Sequence, residues 1–371
     1  MRILHLAFDD HRYAMSGGGA VRSREINRRL ASRHDITVVT IKYDGARERV
    51  EDGVRYVQAG INAGYFGRII TYLLALPLVL LRYPSDLVVE DFAPPMSTAL
   101  VPLWTRRPVV GVVQWLFARQ KSRQYKLPFF IVERLGVRLY RRLIATSPDI
   151  ADQLRVLNPA ATVEVITNGV QLDDPGTEIS KTTDIVFLGR IDIQHKGLDL
   201  LLEAFKRISS QTEARLLIAG DGPDTKRLLR LRARLGLDDR VLVLGRVQGQ
   251  AKRRLLGAAA VVCAPSRYEV YPHVPLEALA AGTPVLTFDI PAMRTLFTAD
   301  CGVQVPAFDV EAYAKALREF IESPERCRAM GQAGQRFARR FDWDALAEKQ
   351  EAVYLDAVTR AGRLDSRAQV R

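Results

Sequence analysis

Short apolar runs alternate along the chain with longer segments whose apolar positions recur at helical spacing. That alternation marks strand–helix–strand units whose strands are buried on both faces of a parallel sheet. In the first half, Arg2–Ala7, Ile36–Ile41, Arg55–Ala59, Leu87–Glu90, Val109–Val113, Leu143–Thr146 and Val163–Ile166 read as strands. Helices are predicted between them, over Gly19–Ser32 and Phe129–Arg142. A second series follows Gln171, with strands at Ile185–Gly189, Arg215–Ala219, Val241–Leu244, Val261–Ala264 and Val285–Thr287. Its helices fall near Leu198–Ile208, Lys226–Leu235 and Gln250–Ala258. Trp343, Leu346, Val353, Tyr354 and Val358 then share one face of a long closing helix, a stripe expected to pack into a core.

The polar stretch from Asp173 to Thr183, with Pro175 and Gly176, reads as a linker. It divides the chain into an N-terminal doubly wound domain, 1–172, and a second one, 173–351, with a last helix at about 352–367 returning to the first. Two such domains place ligands at the carboxyl ends of their strands, and a cleft between facing domains is the natural site. At 371 residues and 48% hydrophobic composition, the chain has length and apolar content enough for two cores.

The formal charge of +12 favours acidic partners such as nucleotides, nucleic acid or an anionic membrane face. Cys263, Cys301 and Cys327 form neither a CxxC pair nor an even framework, which points to a reduced compartment without zinc. The apolar start gives way at once to Asp9 and Asp10, too soon for a signal peptide. Ile69 to Leu81 contains Pro77 and is shorter than the roughly 20 residues that span a bilayer. A soluble cytoplasmic protein, at most peripheral on a membrane, is expected.

The densest chemistry lies in Glu269-Val270-Tyr271-Pro272-His273-Val274-Pro275-Leu276-Glu277. Glu269 falls in a loop after a strand, and Glu277 on a short helix predicted to start near Pro275 and stop at Gly282. A strand, a loop and a helix N-terminus form an anion site. Two carboxylates beside it suit a ligand with both phosphates and hydroxyls. Phe187-Leu188-Gly189-Arg190 closes a strand, and Lys196-Gly197 follows before a helix, so two cations are available to a diphosphate, or are simply solvated at the surface. Near the N-terminus, Ser16-Gly17-Gly18-Gly19-Ala20 offers a strand-to-helix turn with no side chains in the way. Ala219-Gly220-Asp221-Gly222-Pro223 is a tight structural turn, and Gly245-Arg246-Val247 ends a strand where a base can lie on the backbone.

Taken with Asn168-Gly169-Val170 and Phe341-Asp342-Trp343, these pieces span almost the whole chain in one order. In that order they resemble the retaining glycosyltransferases of the GT-B fold, family 4, the glycosyltransferases group 1 type. The resemblance implies two Rossmann-like domains facing across a cleft, and transfer of a sugar from a nucleoside-diphosphate sugar to an acceptor hydroxyl of a polysaccharide, glycolipid or natural product. It implies that Arg190 and Lys196 bind the donor diphosphate and stabilise its departure. Glu277 would hold the ribose, and Glu269 the transferred sugar, with Arg246, Val247, Val270, Tyr271, His273 and Val274 completing the donor site. Gly17, Gly18 and Gly19 would close over the phosphates from the N-terminal domain. No resident cofactor and no metal are implied, and no protein nucleophile is nominated.

Two departures stand out. Pro272 replaces a glycine common in relatives, and Pro275 removes another N–H from the same turn, a loss that His273 is expected to offset from its side chain, with a packing or solvent-exposed histidine as the plain alternative. Gln114 stands where many relatives place a histidine, so Gln114, Trp115 and Asp91 are expected on sugar or acceptor, with a helix cap as the plain alternative for Asp91. Around them Arg119, Lys121, Arg123, Lys126, Arg134, Arg138, Arg141 and Arg142 mingle with Phe117, Tyr125, Phe129 and Phe130. That mixture suits anionic lipid, an acidic acceptor or a solvated face. A sugar-nucleotide epimerase or phosphorylase on the same scaffold is the alternative enzyme. No nucleic-acid module is evident.

Overall fold

The computed structural model describes residues 1–13, 16–94, 97, 100–116, 118, 122, 126–172, 179–269, 272–294 and 296–369, without the side chains of 65 and 363–369. These form two units, Met1–Gly169 with Trp343–Arg371, and Val170–Asp342.

The first unit is built on an eight-stranded sheet. Its strands are β1 Arg2–Phe8, β2 Asp35–Ile41, β3 Arg49–Glu51, β4 Val54–Ala59, β5 Leu87–Phe92, β6 Val109–Val113, β7 Arg142–Ala145 and β8 Thr162–Val165. They lie in the order β3-β4-β2-β1-β5-β6-β7-β8, parallel except for the β3–β4 pair. Alternate residues serve opposite faces, as the strand period requires. Ile3, Ile36, Val38, Leu87 and Val89 pack under the helix Gly18–Leu30 and the closing helix Trp343–Gln369. Their neighbours Leu4, Leu6, Val39, Ile41 and Val88 pack under the helix Gly64–Arg82. Burying each such side chain contributes roughly 1.5–3 kcal/mol, so both faces hold the sheet.

Trp343, Leu346 and Ala347, in the first turns of the closing helix, sit in the same cluster as Ile26 and Leu30. The helix therefore belongs to the first unit from Trp343 onward, not from about residue 352, because its apolar stripe starts at its first residue.

The second unit carries β9 Ile185–Leu188, β10 Leu216–Ala219, β11 Val241–Gly245, β12 Val261–Ala264, β13 Val285–Phe288 and β14 Gly302–Val305. The order is β11-β10-β9-β12-β13-β14 with every pairing parallel. The chain reverses its direction of growth between β1 and β5 in one sheet and between β9 and β12 in the other. Such switch points leave a crevice at the carboxyl ends of the strands.

Several elements differ from the sequence reading. β3 and β14 are sheet edges with too few apolar residues to stand out. The helix predicted over Phe129–Arg142 stops at Val137, because Arg142 pairs with Val110 and Thr162 as the first residue of β7. The linker at 173–178 lies outside the described residues.

Candidate functional site

In the second unit, β9 ends at Leu188 and the chain turns through Gly189 and Arg190. Asp192 then caps a single helical turn, Ile193–Lys196, by accepting a hydrogen bond from the His195 N–H at 3.0 Å. Gly197 ends that turn with φ +63°, and a Cβ placed there would lie 2.0 Å from the Pro265 carbonyl oxygen. Only glycine permits that approach. It brings Lys196 against the loop after β12, where its Nζ meets Glu269 Oε1 at 2.5 Å. Ser266 Oγ donates to the same carboxylate oxygen at 2.7 Å. Behind this pair, His195 stacks on Tyr268, with ring centroids 4.2 Å apart and planes 9° from parallel. Burial, then the neighbouring Lys196, lower the His195 pKa; Glu269 and Asp192 oppose this, and Arg190 adds to it.

Lys196, Ser266 and Glu269 line a cavity of about 180 Å³, with Leu188 of β9, Gly189 just after it, and Pro272 to Pro275 at the start of the next helix. That helix runs His273–Ala280 and starts two residues before the predicted Pro275, with Pro272 at its N-cap. Pro275 fits inside the first turn, where a missing N–H breaks no helical hydrogen bond. Pro272 and Pro275 therefore bring no N–H to the anion end of the helix, as the sequence implies. His273 and Val274 both line the cavity.

Glu277 sits one turn further along, and Lys252 Nζ, from the helix Gly249–Ala258, reaches its Oε1 at 2.7 Å. Arg190 and Arg246 are exposed on their loops, and Val247 is half-buried beyond β11. Neither Glu277 nor these three lines the 180 Å³ cavity. Val270 and Tyr271 lie outside the described residues. The turn after β10 behaves as expected, with Asp221 Oδ1 accepting from the Gly222 N–H at 2.7 Å.

The first unit has its own cavity, of about 360 Å³, at the ends of β1 and β5. It gathers Gly17, Gly18, Gly19, Asp91, Gln114 and Trp115, all singled out in the sequence. Gly18 and Gly19 are helical rather than part of a turn, and Gly17 is the N-cap, because β1 already ends at Phe8. A Cβ on Gly19 would lie 2.9 Å from Gln114 Nε2, so the amide rests against bare backbone.

Asp91 is not a helix cap. It lies within β5, since that strand runs on to pair Phe92 with Val113. Its Oδ2 accepts from Ser23 Oγ at 2.9 Å, and its Oδ1 lies 3.3 Å from His5 Nε2. The Asn27 amide nitrogen donates to His5 Nδ1 at 2.8 Å, which leaves the proton on Nε2, facing Asp91.

Sequence reasoning missed Asp9. It follows Phe8, whose φ of +54° is costly for a residue with a side chain, and it joins Asp91 in lining the cavity. Burial, and then the charges of Asp91 and Asp10, push the Asp9 carboxyl up to about 6. Asp10, fully buried, stays below the usual range: burial pulls it up, but the Arg49 fork, at 2.8 Å to each oxygen, outweighs that. The visible signal was an acidic pair directly behind an apolar strand. Lys252, Ser266 and His195 gave no signal, being ordinary polar residues until the fold brings them to the carboxylates.

Phe117, Arg119, Lys121, Arg123 and Tyr125 of the basic, aromatic stretch lie outside the described residues. Lys126, Arg134, Arg138 and Arg141 are exposed. Arg142 is not part of that surface, because it is buried and ion-paired with Asp356 of the closing helix.

Two family models match. Residues 16–174 fit Glycosyltransferase Family 4, and residues 172–337 fit Glycosyl transferases group 1. The chain is 28% identical over 288 residues to a phosphatidyl-myo-inositol mannosyltransferase of Mycobacterium leprae, covering 74% of each chain. Against several other curated relatives the match spans about half of their length. Among solved structures, sucrose-phosphate synthase from Thermosynechococcus elongatus superposes with a TM-score of 0.81 at 20% identity, over 97% of this chain and 99% of that one. HepE of Anabaena, in complex with UDP and glucose, gives 0.74 at 19% identity, over 95% and 98%. The fold is thus that of the GT-B enzymes.

Proposed function

We propose that this chain, which belongs to the group 1, family 4 glycosyltransferases, moves a sugar from a nucleoside diphosphate to an acceptor hydroxyl with retention of anomeric configuration. The single observation that carries the reading is the Lys196–Glu269–Ser266 cluster at the mouth of the cavity between the ends of β9 and β12.

Departure of a nucleoside diphosphate builds negative charge on the β-phosphate, and fixed positive groups aimed at that charge lower the barrier most. Lys196 supplies one such charge, and Arg190, exposed on the loop after β9, a second. The His273–Ala280 helix adds the positive end of its dipole. When the diphosphate takes hold of Lys196, Glu269 loses its ammonium partner and is free to accept hydrogen bonds from hydroxyls of the sugar. Ser266 keeps that carboxylate in place meanwhile. Glu277, steadied by Lys252, accepts from the two ribose hydroxyls in this reading, while Arg246 and Val247 flank the base. Positive charge from the chain itself does the work a metal does elsewhere, so chelation with EDTA should leave the rate unchanged.

In the first unit, Asp91, Gln114 and Trp115 hold the acceptor, with Gly17 to Gly19 as the bare backbone wall of the same cavity. Asp91 is held by Ser23 and His5, which fixes its free edge toward the cavity. The acceptor proton leaves with the departing phosphate in a front-face attack, so no carboxylate need become covalently attached.

A calorimetric panel of nucleoside diphosphates and their sugars identifies the donor, and proton NMR of the first-formed product reads its anomeric configuration. An α-linked donor giving an α-linked product is expected. Inversion, or no binding of any nucleoside diphosphate, overturns the reading.

A further inference from the structure

We propose that the outward face of the helix Gly64–Arg82 docks on an anionic lipid bilayer. This 19-residue helix is apolar on both sides. One side, with Ile69, Tyr72, Leu76, Val79 and Leu80, is buried against the first unit's sheet. The other carries Phe66, Ile70, Leu74, Leu78 and Leu81, which are 61, 57, 73, 70 and 80% exposed. Steps of four, four, four and three residues keep these five on a single stripe, about 22 Å long at 1.5 Å per residue. Pro77, also exposed, lies within it. Scattered exposed leucines are ordinary, but a continuous ridge of this length marks an interaction surface.

The charge around the ridge selects the partner. The helix contains no Asp or Glu; of its two arginines, Arg68 turns inward to Asp44 and Tyr13, and Arg82 is exposed. At its C-terminal end Arg107 Nη1 donates to the Leu80 carbonyl at 3.2 Å, clasping a segment that exposes Leu103, Trp104 and Arg106. A large aromatic beside arginines suits the headgroup level of a membrane. A second copy of the chain fits poorly, because it would set the same exposed Arg82 and Arg106 around the ridge with no acid on either helix to answer them. The buried side keeps the helix in the fold, so it lies in the interface and does not cross it. No described helix is long and apolar enough to span a membrane.

The same helix also lends Arg68 and Ile69 to the 360 Å³ cavity. If that cavity takes the acceptor, as the proposed function has it, docking presents it to a lipid-linked hydroxyl. The docking itself does not depend on that.

The test is co-sedimentation of the full chain with vesicles of phosphatidylcholine alone or mixed with phosphatidylglycerol, read without any turnover. The wild-type chain should bind the anionic vesicles at least tenfold more tightly than the neutral ones. The double substitution Leu74→Glu with Leu78→Glu, at exposed positions, should weaken that binding tenfold or more while the melting temperature holds. Arg82→Gln should cost roughly fivefold on anionic vesicles alone. Failure of the wild type to pellet with either vesicle overturns the proposal, as does undiminished binding by the double variant. So does sedimentation equilibrium showing that the double substitution splits a dimer, which would give the face to a second copy.

Discussion

Lys196 and Glu269, 73 residues apart in sequence, meet at 2.5 Å because Gly197 lets one loop touch the backbone of the other at Pro265. Under the proposed function, a phosphate that captures this ammonium would release the carboxylate toward hydroxyls. Lys196→Ala should weaken binding of the nucleoside diphosphate at least tenfold and lower kcat by about 10²–10³, the usual loss of one electrostatic stabiliser. Glu269→Gln should spare diphosphate binding and depress kcat for the sugar-bearing donor. Calorimetry with the diphosphate, set beside steady-state rates, separates the two. Equal effects of both variants on diphosphate binding would refute the division of labour.

Gly197→Ala is expected to act through the fold. The alanine must hold φ +63° while its Cβ presses on the Pro265 oxygen. A loss of at least 2 kcal/mol follows from left-handed strain and displaced backbone together. Urea melts of the full chain check it, and an unchanged midpoint would mean the loops separate without cost.

Asp9 makes stability depend on pH. Its carboxyl is raised to about 6 from 3.8, so the folded chain holds this proton more tightly than the unfolded one. That contribution is complete below about pH 4 and is lost as pH climbs through 6. Asp9→Asn carries no such charge, so it should be more stable than the wild type above pH 6, by roughly 3 kcal/mol at 1.4 kcal/mol per pKa unit, and lose that advantage by pH 4. Thermal melts of both proteins across that range decide it. A gap independent of pH would place the effect in packing.

Gly19 and Gln114 should couple. Gly19→Ala pushes a methyl into the amide 2.9 Å away, and shortening the amide by Gln114→Ala should relieve it. A double-mutant cycle on acceptor KM is expected to give an interaction of about 1 kcal/mol. Strict additivity would say the two do not touch during turnover.

Glu277 is tested by its sugar. Wild-type enzyme should prefer a ribonucleoside diphosphate over its 2′-deoxy analogue, and Glu277→Ala should erase most of that preference. Lys252→Met, which leaves the carboxylate without its 2.7 Å partner, should reduce it less. A preference that survives Glu277→Ala assigns the ribose to other residues.

Central strands such as Val109–Val113 and Val261–Ala264 were legible to the residue, because burial on both faces leaves an unbroken apolar run. Edges β3 and β14 were not, since one open side admits Arg49, Glu51 and Gln304. In the site, Lys196, Glu269 and Glu277 stood out by residue type and spacing. Their companions Ser266 and Lys252 acquire meaning only when tertiary folding sets them beside a carboxylate. Asp9 owes its raised pKa first to burial and then to Asp91, 82 positions away in sequence and reached through the β1–β5 pairing.

The chain leaves the first unit at Gly169 and re-enters it at Trp343. Residues 170–342 are therefore an uninterrupted insert with its own core, which should fold when expressed alone, whereas no simple truncation yields the other half. A ribosome delivers the sheet β1–β8 long before the helix bearing Trp343 and Tyr354, so part of one apolar face stays uncovered until that helix has been made. Nascent-chain folding of the N-terminal half should thus trail that of the insert, and a premature stop near 342 would yield a polypeptide prone to aggregation.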